Sequence, residues 1–119
     1  AAGGLFRLPR VLPPNIAMEA ILTATPIPAE RAHQFGMVNR LTEPGEALAG
    51  ALGLAGEITE NAPVAVWASR GVAKAAVSTG EDELKKATDQ AFGEVLSSED
   101  TKEGLTAFIE KRKPNWSGR

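Results

Sequence analysis

Two pairs of residues, one near each end of the chain, have the types and spacing of small-molecule binding groups. Gly3 and Gly4 precede a predicted helix, and the backbone N–H groups at the start of a helix can bind an anion. A tight turn with no room for a side chain explains the same glycines, and on these residues alone we favour it. Phe108 and Lys111 stand three residues apart in the last predicted helix, so we expect them on neighbouring parts of one face. A core Phe beside a solvated Lys is the simpler interpretation of that spacing.

Glu19 and His33 are the candidates for proton transfer. Glu19 is the one acid in an apolar predicted helix, where a carboxyl group can act as a general acid or base. A solvent-facing carboxylate paired with an arginine such as Arg10 is the interpretation that we favour. His33 lies on a short polar segment, and a general base needs an orienting partner and a nucleophile or water within reach. No serine–histidine–aspartate arrangement suggests itself there, and the nearby Glu30 and Arg31 are expected to form exposed ion pairs. The sequence therefore predicts no catalytic residue at either position.

Composition and charge argue against several classes of protein. The net charge is −2, and the only basic cluster is the short run 111–113, which argues against nucleic acid as a partner. The chain has no Cys and a single His, so disulfides are excluded and a metal site is not expected. No segment approaches the roughly 20 apolar residues that span a bilayer, and the start has no signal-peptide pattern. We expect a cytoplasmic protein without a membrane partner, and a chain start, Ala1 rather than Met, that is a cut.

Apolar spacing, prolines and glycines predict a mainly α chain with at most one or two short strands. The first helix is expected from about Gly4 to Leu12, kinked or shortened near Pro9. Residues 37–41 are the one convincing strand candidate. Two short helices are predicted next, one from a cap at Asn15 to Thr23 and one from Pro28 to Gln34 or Phe35, with Gly36 closing the second. Three longer helices are predicted between Pro44-Gly45 and Asn61, from Pro63 towards Gly80, and from Glu81 to Ser97. The last predicted helix runs from a cap at Ser98 or Asp100 to Pro114.

Five blocks of sequence, in this order and at these spacings, resemble the C-terminal half of the crotonase superfamily, the enoyl-CoA hydratase/isomerase family. The resemblance covers essentially the whole chain. It implies the C-terminal helical portion of the α/β crotonase fold, with residues 1–42 as the end of the core and the acyl-pocket wall. Residues 43–119 would be a C-terminal helical region for oligomerisation and CoA contact. The blocks are Gly3–Arg10, Ala17–Thr23, Ala29–Ala32, Gly36–Arg40 and Glu103–Pro114.

The resemblance also assigns site residues. Ala1, Gly3 and Gly4 would line the acyl pocket, although Ala1 stands where hydratases often have a glycine, which puts strict hydratase activity in doubt. Phe108 and Lys111 match an aromatic and a lysine that contact CoA. The family's oxyanion loops and reacting glutamates come from earlier sequence, so the resemblance implies no catalytic residue in this chain. The four glutamates between residues 19 and 46 do not match those motifs: Glu19, Glu30, Glu43 and Glu46.

What the resemblance implies for function is a C-terminal fragment of a protein that acts on acyl-CoA thioesters, itself inactive. The intact parent would hydrate or isomerise a 2-enoyl-CoA as a trimer or a dimer of trimers, with the CoA thioester as substrate and no covalently bound cofactor. The alternative, from a different class, is a non-catalytic helical assembly module that works through oligomerisation alone.

Overall fold

The computed structural model describes residues 3–119, and over this range every regular element is an α-helix. Ala1, one of the predicted pocket residues, lies outside the described residues. In the described range no helix is long and apolar enough to cross a bilayer. The helices are α1 Gly4–Val11, α2 Pro14–Thr23, α3 Ala29–Gln34, α4 Ala47–Thr59, α5 Pro63–Ala75, α6 Glu81–Ser97 and α7 Glu99–Glu110.

The chain divides into two compact units, Ala1–Leu52 and Gly53–Arg119, with the boundary inside α4. In the first unit α1 packs against α2, and its buried apolar residues are Leu12, Ala17 and Ala32. In the second unit α6 packs against both α5 and α7, and Ala107 is its buried apolar residue. Three of these four residues are alanines, so the core is built from close contacts of small side chains. The predicted functional division at residue 42 stays a prediction.

The start of α2 differs from the prediction. Asn15 was expected to cap the helix, but α2 begins at Pro14, and no side chain caps it. Proline suits the first helical position because its missing N–H would have no partner there. Asn15 therefore lies inside the first turn, and the cap prediction was wrong. Pro9 is also accommodated, since α1 continues past it to Val11.

The segment predicted as a strand is the closure of α3. Gly36 has a left-handed φ of 77°, as predicted, and its N–H donates to the carbonyl of His33 at 3.0 Å. The N–H of Met37 donates to the carbonyl of Ala32 at 2.8 Å, which completes a Schellman motif. A strand needs a partner for its backbone groups, whereas the N–H groups of Met37 and Val38 both turn back to Ala32. The strand prediction for residues 37–41 was wrong for this reason.

Candidate functional site

The end of α7 holds the residues that the sequence connects with ligand binding. Ser98, one of the two residues predicted to cap the helix, is its cap: the Ser98 hydroxyl accepts a hydrogen bond from the N–H of Thr101 at 3.1 Å. The helix ends at Glu110, not at Pro114, because Lys111 adopts a left-handed φ of 54°. The N–H groups of Lys111 and Arg112 turn back to the carbonyls of Phe108 and Ala107, at 3.4 and 3.1 Å. Lys111 therefore lies in the turn after the helix and not on the helical face that its spacing predicted.

Phe108 is not a core residue. It is 83% exposed, whereas its neighbour Ala107 is 2% exposed. Leu105 and Ile109 on the same helix are also exposed. The interpretation of Phe108 as a core Phe, which its spacing favoured, is wrong for this chain, and the ring is accessible to a ligand or another surface.

Arg112 braces the turn after α7. Its Nη1 and Nη2 donate to Oε1 and Oε2 of Glu103 at 2.6 and 2.9 Å, a bidentate pair of the strong, geometrically specific kind. Its Nε donates to Glu110 at 2.6 Å, and Nη1 also donates to the carbonyl of Lys113 at 3.1 Å. The Glu103 and Arg112 side chains are 23% and 40% exposed. The pair therefore connects the middle of α7 to the chain that leaves it.

Residues 113–119, which we call the C-terminal strap, fold back against the second unit. The N–H of Asn115 donates to Glu103 at 2.6 Å. The indole N–H of Trp116 donates to the carbonyl of Glu60 at 2.9 Å. Trp116 therefore packs on the second unit itself, and a Cβ on Gly104 would lie 3.2 Å from its ring.

Asp100 anchors the end of the strap. It is 1% exposed and accepts the N–H of Ser117 at 2.7 Å and the N–H of Gly118 at 3.1 Å. The hydroxyl of Ser117 adds a third donor at 3.1 Å. In return, the N–H groups of Glu99 and Asp100 donate to the carbonyl of Arg119 at 2.7 and 3.2 Å. The first turn of α7 and the strap thus satisfy one another's polar groups.

These contacts move the pKa values of the three charged groups. The Arg112 guanidinium, together with the N–H of Asn115, lowers the pKa of Glu103 from 4.5 to about 2. Glu103 and then Glu110 raise the pKa of Arg112. Burial alone would raise the pKa of Asp100, but the hydrogen bonds from Ser117 and Gly118 outweigh it and hold the pKa below 3.8. All three groups are therefore charged at neutral pH, and their charge-assisted hydrogen bonds persist there.

The sequence did not single out Glu103, Arg112 and Asp100 as a set. The available signal was the nine-residue separation of Glu103 and Arg112, together with the turn-forming residues after Pro114. Helical periodicity could not reveal it, because the pairing depends on the left-handed turn at Lys111. The strap itself could be suspected from Trp116, a large aromatic outside any predicted helix.

The glycine pair at the other end has a backbone explanation. Gly3 has a left-handed φ of 89°, and a Cβ there would lie 3.0 Å from the ring of Phe6 and 3.1 Å from the guanidinium of Arg7. A Cβ on Gly4 would meet nothing within 4 Å. Arg7 and Arg10 both lie over the Phe6 ring, each 5.6 Å from its centroid. The tight-turn interpretation therefore accounts for Gly3.

The remaining candidates are surface groups. Glu19 pairs with Arg31 at 3.0 Å; the partner suggested from the sequence, Arg10, is instead on Phe6. The Glu19 and Arg31 side chains are 54% and 39% exposed, so the pair contributes little to stability. His33 is exposed. Within residues 3–119 no three His, Cys, Asp or Glu side chains are grouped as a metal site would require.

Comparison with known proteins identifies the family. The family model described as enoyl-CoA hydratase/isomerase matches residues 1–119. A carnitinyl-CoA dehydratase from Salmonella arizonae is 37% identical over 98% of this chain and 46% of its own length. A crotonyl-CoA hydratase from Syntrophomonas wolfei is 38% identical over 96% of this chain and 44% of its own length.

Solved structures of enoyl-CoA hydratases also match the chain. The crystal structure of an enoyl-CoA hydratase from Mycobacterium tuberculosis superposes with a TM-score of 0.93 at 44% identity, covering 98% of this chain and 46% of that one. The chain thus spans about half the length of the relatives that it matches. It corresponds to the C-terminal helical portion of the crotonase fold. Because the family model matches residues 1–119 and the superposition is close, the chain belongs to the enoyl-CoA hydratase/isomerase family.

Proposed function

We propose that this chain is the CoA-contacting, C-terminal part of an enzyme that hydrates or isomerises a 2-enoyl-CoA. One observation carries the proposal: Phe108 is 83% exposed and stands three residues before Lys111, which lies in a turn fixed by Arg112. The relatives named above are a carnitinyl-CoA dehydratase and a crotonyl-CoA hydratase, and both names specify a CoA thioester.

Phe108 and Lys111 take different parts of the ligand in this proposal. The aromatic ring packs against the adenine or borders the entrance to the site, and the ammonium group of Lys111 meets a phosphate as a point charge. Lys111 is exposed, so its contribution depends on ionic strength. The same proposal assigns Ala1, Gly3 and Gly4 to the acyl-pocket wall.

Substitution of Lys111 by Ala tests the CoA contact. An exposed charge pair contributes up to about 1 kcal/mol, so Lys111→Ala should weaken CoA binding by roughly twofold to fivefold at low salt, and by less at high salt. The measurement is calorimetric titration of CoA into the full-length protein at two salt concentrations.

Lys102→Ala is the matched control, because it removes the same charge from an exposed position on α7. It should leave the affinity for CoA unchanged. Equal affinities for wild type and Lys111→Ala at low salt would contradict the proposal and leave Lys111 as an ordinary solvated charge.

We further propose that the 119 residues alone are catalytically inactive. The family resemblance identifies no reacting glutamate among them, and losing even one oxyanion donor costs about a hundredfold in rate. The purified 119-residue chain should give no hydration of crotonyl-CoA above a buffer control. Turnover in a preparation free of the host's own hydratase would contradict this.

The alternative, a helical assembly module, has its own supporting observation. Large apolar side chains are exposed in both units, among them Leu48 and Phe108, and such surfaces often form interfaces. In a pure assembly module Phe108→Ala weakens association and Lys111→Ala has no effect on CoA binding. An effect of Lys111→Ala on CoA affinity therefore favours the enzyme over the module.

A further inference from the structure

The turn that contains Lys111 is held by the backbone N–H groups of Lys111 and Arg112 and by the side chain of Arg112. Lys111 is in the left-handed conformation, which a residue with a side chain adopts only where its surroundings impose it. The next residue, Arg112, is bonded through its backbone to Ala107 and through its guanidinium to Glu103 and Glu110. The position of Lys111 therefore depends on where Arg112 is fixed.

Arg112 is not free to bind a phosphate in place of Lys111. Its guanidinium carries five N–H groups, and four of them are used: two in bonds to Glu103, one in a bond to Glu110 and one in a bond to the carbonyl of Lys113. A ligand phosphate that takes two hydrogen bonds from Arg112 would have to displace one of these acceptors. Of these two adjacent cations, Lys111 is the one left available.

Glu103 is the centre of this arrangement. Both of its oxygens accept from Arg112, and Oε1 also accepts the N–H of Asn115 at 2.6 Å. It therefore fixes the chain on both sides of Lys113. Glu110, in contrast, is exposed and accepts one hydrogen bond, from Arg112, within residues 3–119, so its removal leaves the bidentate pair intact.

We propose that Glu103 is a positioning residue for CoA binding: by fixing Arg112 and Asn115 it sets the turn from which Lys111 reaches the ligand. This rests on the proposed function, since it requires Lys111 to contact CoA. Glu103 itself touches no ligand in this proposal, and its effect on affinity passes through Lys111.

A double-mutant cycle on CoA affinity in the full-length protein tests the proposal. Lys111→Ala should weaken binding by roughly twofold to fivefold at low salt. Glu103→Gln, which keeps the shape but removes the charge, should weaken binding by a smaller factor. In the Lys111→Ala background Glu103→Gln should have no further effect, because the group that it positions is gone.

Two variants separate positioning from general stability. Glu81→Gln removes the same charge from an exposed position on α6 and should leave CoA affinity unchanged. Arg112→Lys keeps the charge but loses the fork that binds Glu103, so it should reproduce the effect of Glu103→Gln. If Glu103→Gln does not fold, Arg112→Lys takes its place in the double-mutant cycle.

The outcomes distinguish the two proposals. Additive effects of Glu103→Gln and Lys111→Ala, or no effect of Glu103→Gln and Arg112→Lys in folded protein, overturn the positioning role while leaving the CoA contact intact. No effect of Lys111→Ala by itself overturns the CoA contact and the positioning role together. A non-additive cycle, with Arg112→Lys matching Glu103→Gln, supports the positioning role.

Discussion

Glu103 and Asp100 hold the same strap but differ in what opposes their ionisation. Asp100 is buried, and desolvation works against its charge until the hydrogen bonds from Ser117 and Gly118 outweigh it. Glu103 is partly exposed, and its charge is favoured mainly by one guanidinium. Replacing Asp100 by a neutral group therefore leaves the N–H groups of Ser117 and Gly118 without their charged acceptor. Replacing Glu103 removes the bidentate partner of Arg112 and leaves its contacts to Glu110 and Lys113.

The lowered pKa of Glu103 gives a pH dependence with a definite sign. The folded chain holds this carboxyl ionised down to about pH 2, whereas the unfolded chain protonates it near 4.5. Between these values the unfolded state binds more protons, so the free energy of unfolding rises with pH. The stabilisation is fully present above the unfolded pKa and is lost as the pH falls through this window.

Thermal unfolding of wild type and Glu103→Gln between pH 2 and 7 checks this. In the window from about pH 4.5 to pH 2 the variant should lose stability less steeply, by at most about one proton in the slope. Glu81→Gln, which removes an exposed acid of α6, is the control and should keep the wild-type slope. Equal slopes for wild type and Glu103→Gln would mean that the pair with Arg112 does not persist in solution.

At the scale of helices, one glycine in α6 and one in α7 differ in what lies opposite them. A Cβ on Gly93 in α6 would meet nothing within 4 Å, whereas a Cβ on Gly104 in α7 would lie 3.2 Å from the ring of Trp116. Trp116 is in turn fixed by its hydrogen bond to Glu60. The two sites therefore separate helix propensity from strap packing.

We expect Gly93→Ala to stabilise the chain by roughly 0.5–1 kcal/mol, the usual gain for Gly to Ala in a helix interior. Gly104→Ala should stabilise the chain by less than this or destabilise it, because the indole ring of Trp116 must move. Chemical denaturation gives both values, and in a Trp67→Phe background the emission of Trp116, then the only Trp, should shift to the red in Gly104→Ala. Equal gains at both sites would show that the strap does not pack on α7.

Local signals located the helices and failed where the chain leaves them. Prolines, Gly36 and the Ser98 cap gave most boundaries to within a residue or two, since each has a direct backbone effect. The end of α7 was missed because Lys111 is not a residue type that usually adopts a left-handed φ. Residues 37–41 were assigned to a strand on side-chain pattern, although pairing depends on a partner that the pattern does not contain.

At the scale of the whole chain, the candidate site was found by resemblance and its support by geometry. Phe108 and Lys111 could be named from a short motif, but only the structure distinguishes an exposed Phe108 from a core one. Glu103, Arg112 and Asp100 act across a reversal of the chain, and periodicity along a helix carries no information about such contacts. Motifs therefore suggest candidate residues for ligand contact, and carry no information about which residues hold those candidates in place.

Self-association is the expectation that belongs to the molecule as a whole. Over residues 3–119 the buried apolar residues are Leu12 and three alanines. We expect five apolar residues of the first unit to be left partly uncovered. Leu5 is exposed, and the other four are half-buried: Leu8, Ile16, Ile21 and Val38. Exposed apolar patches beyond a few hundred Å² are uncommon on monomers. A chain with so little of its large apolar surface covered gains free energy by association.

Sedimentation velocity of the 119-residue chain at micromolar concentration should therefore show oligomers or aggregates, with a distribution that shifts on dilution. The family resemblance suggests a trimer or a dimer of trimers for the full-length protein, but the 119 residues alone can associate through other surfaces. Phe108→Ser, which replaces the most exposed large apolar side chain of α7, should reduce association if this helix takes part. A monomer with a single cooperative unfolding transition would show that the exposed apolar residues are tolerated by an independently stable fold.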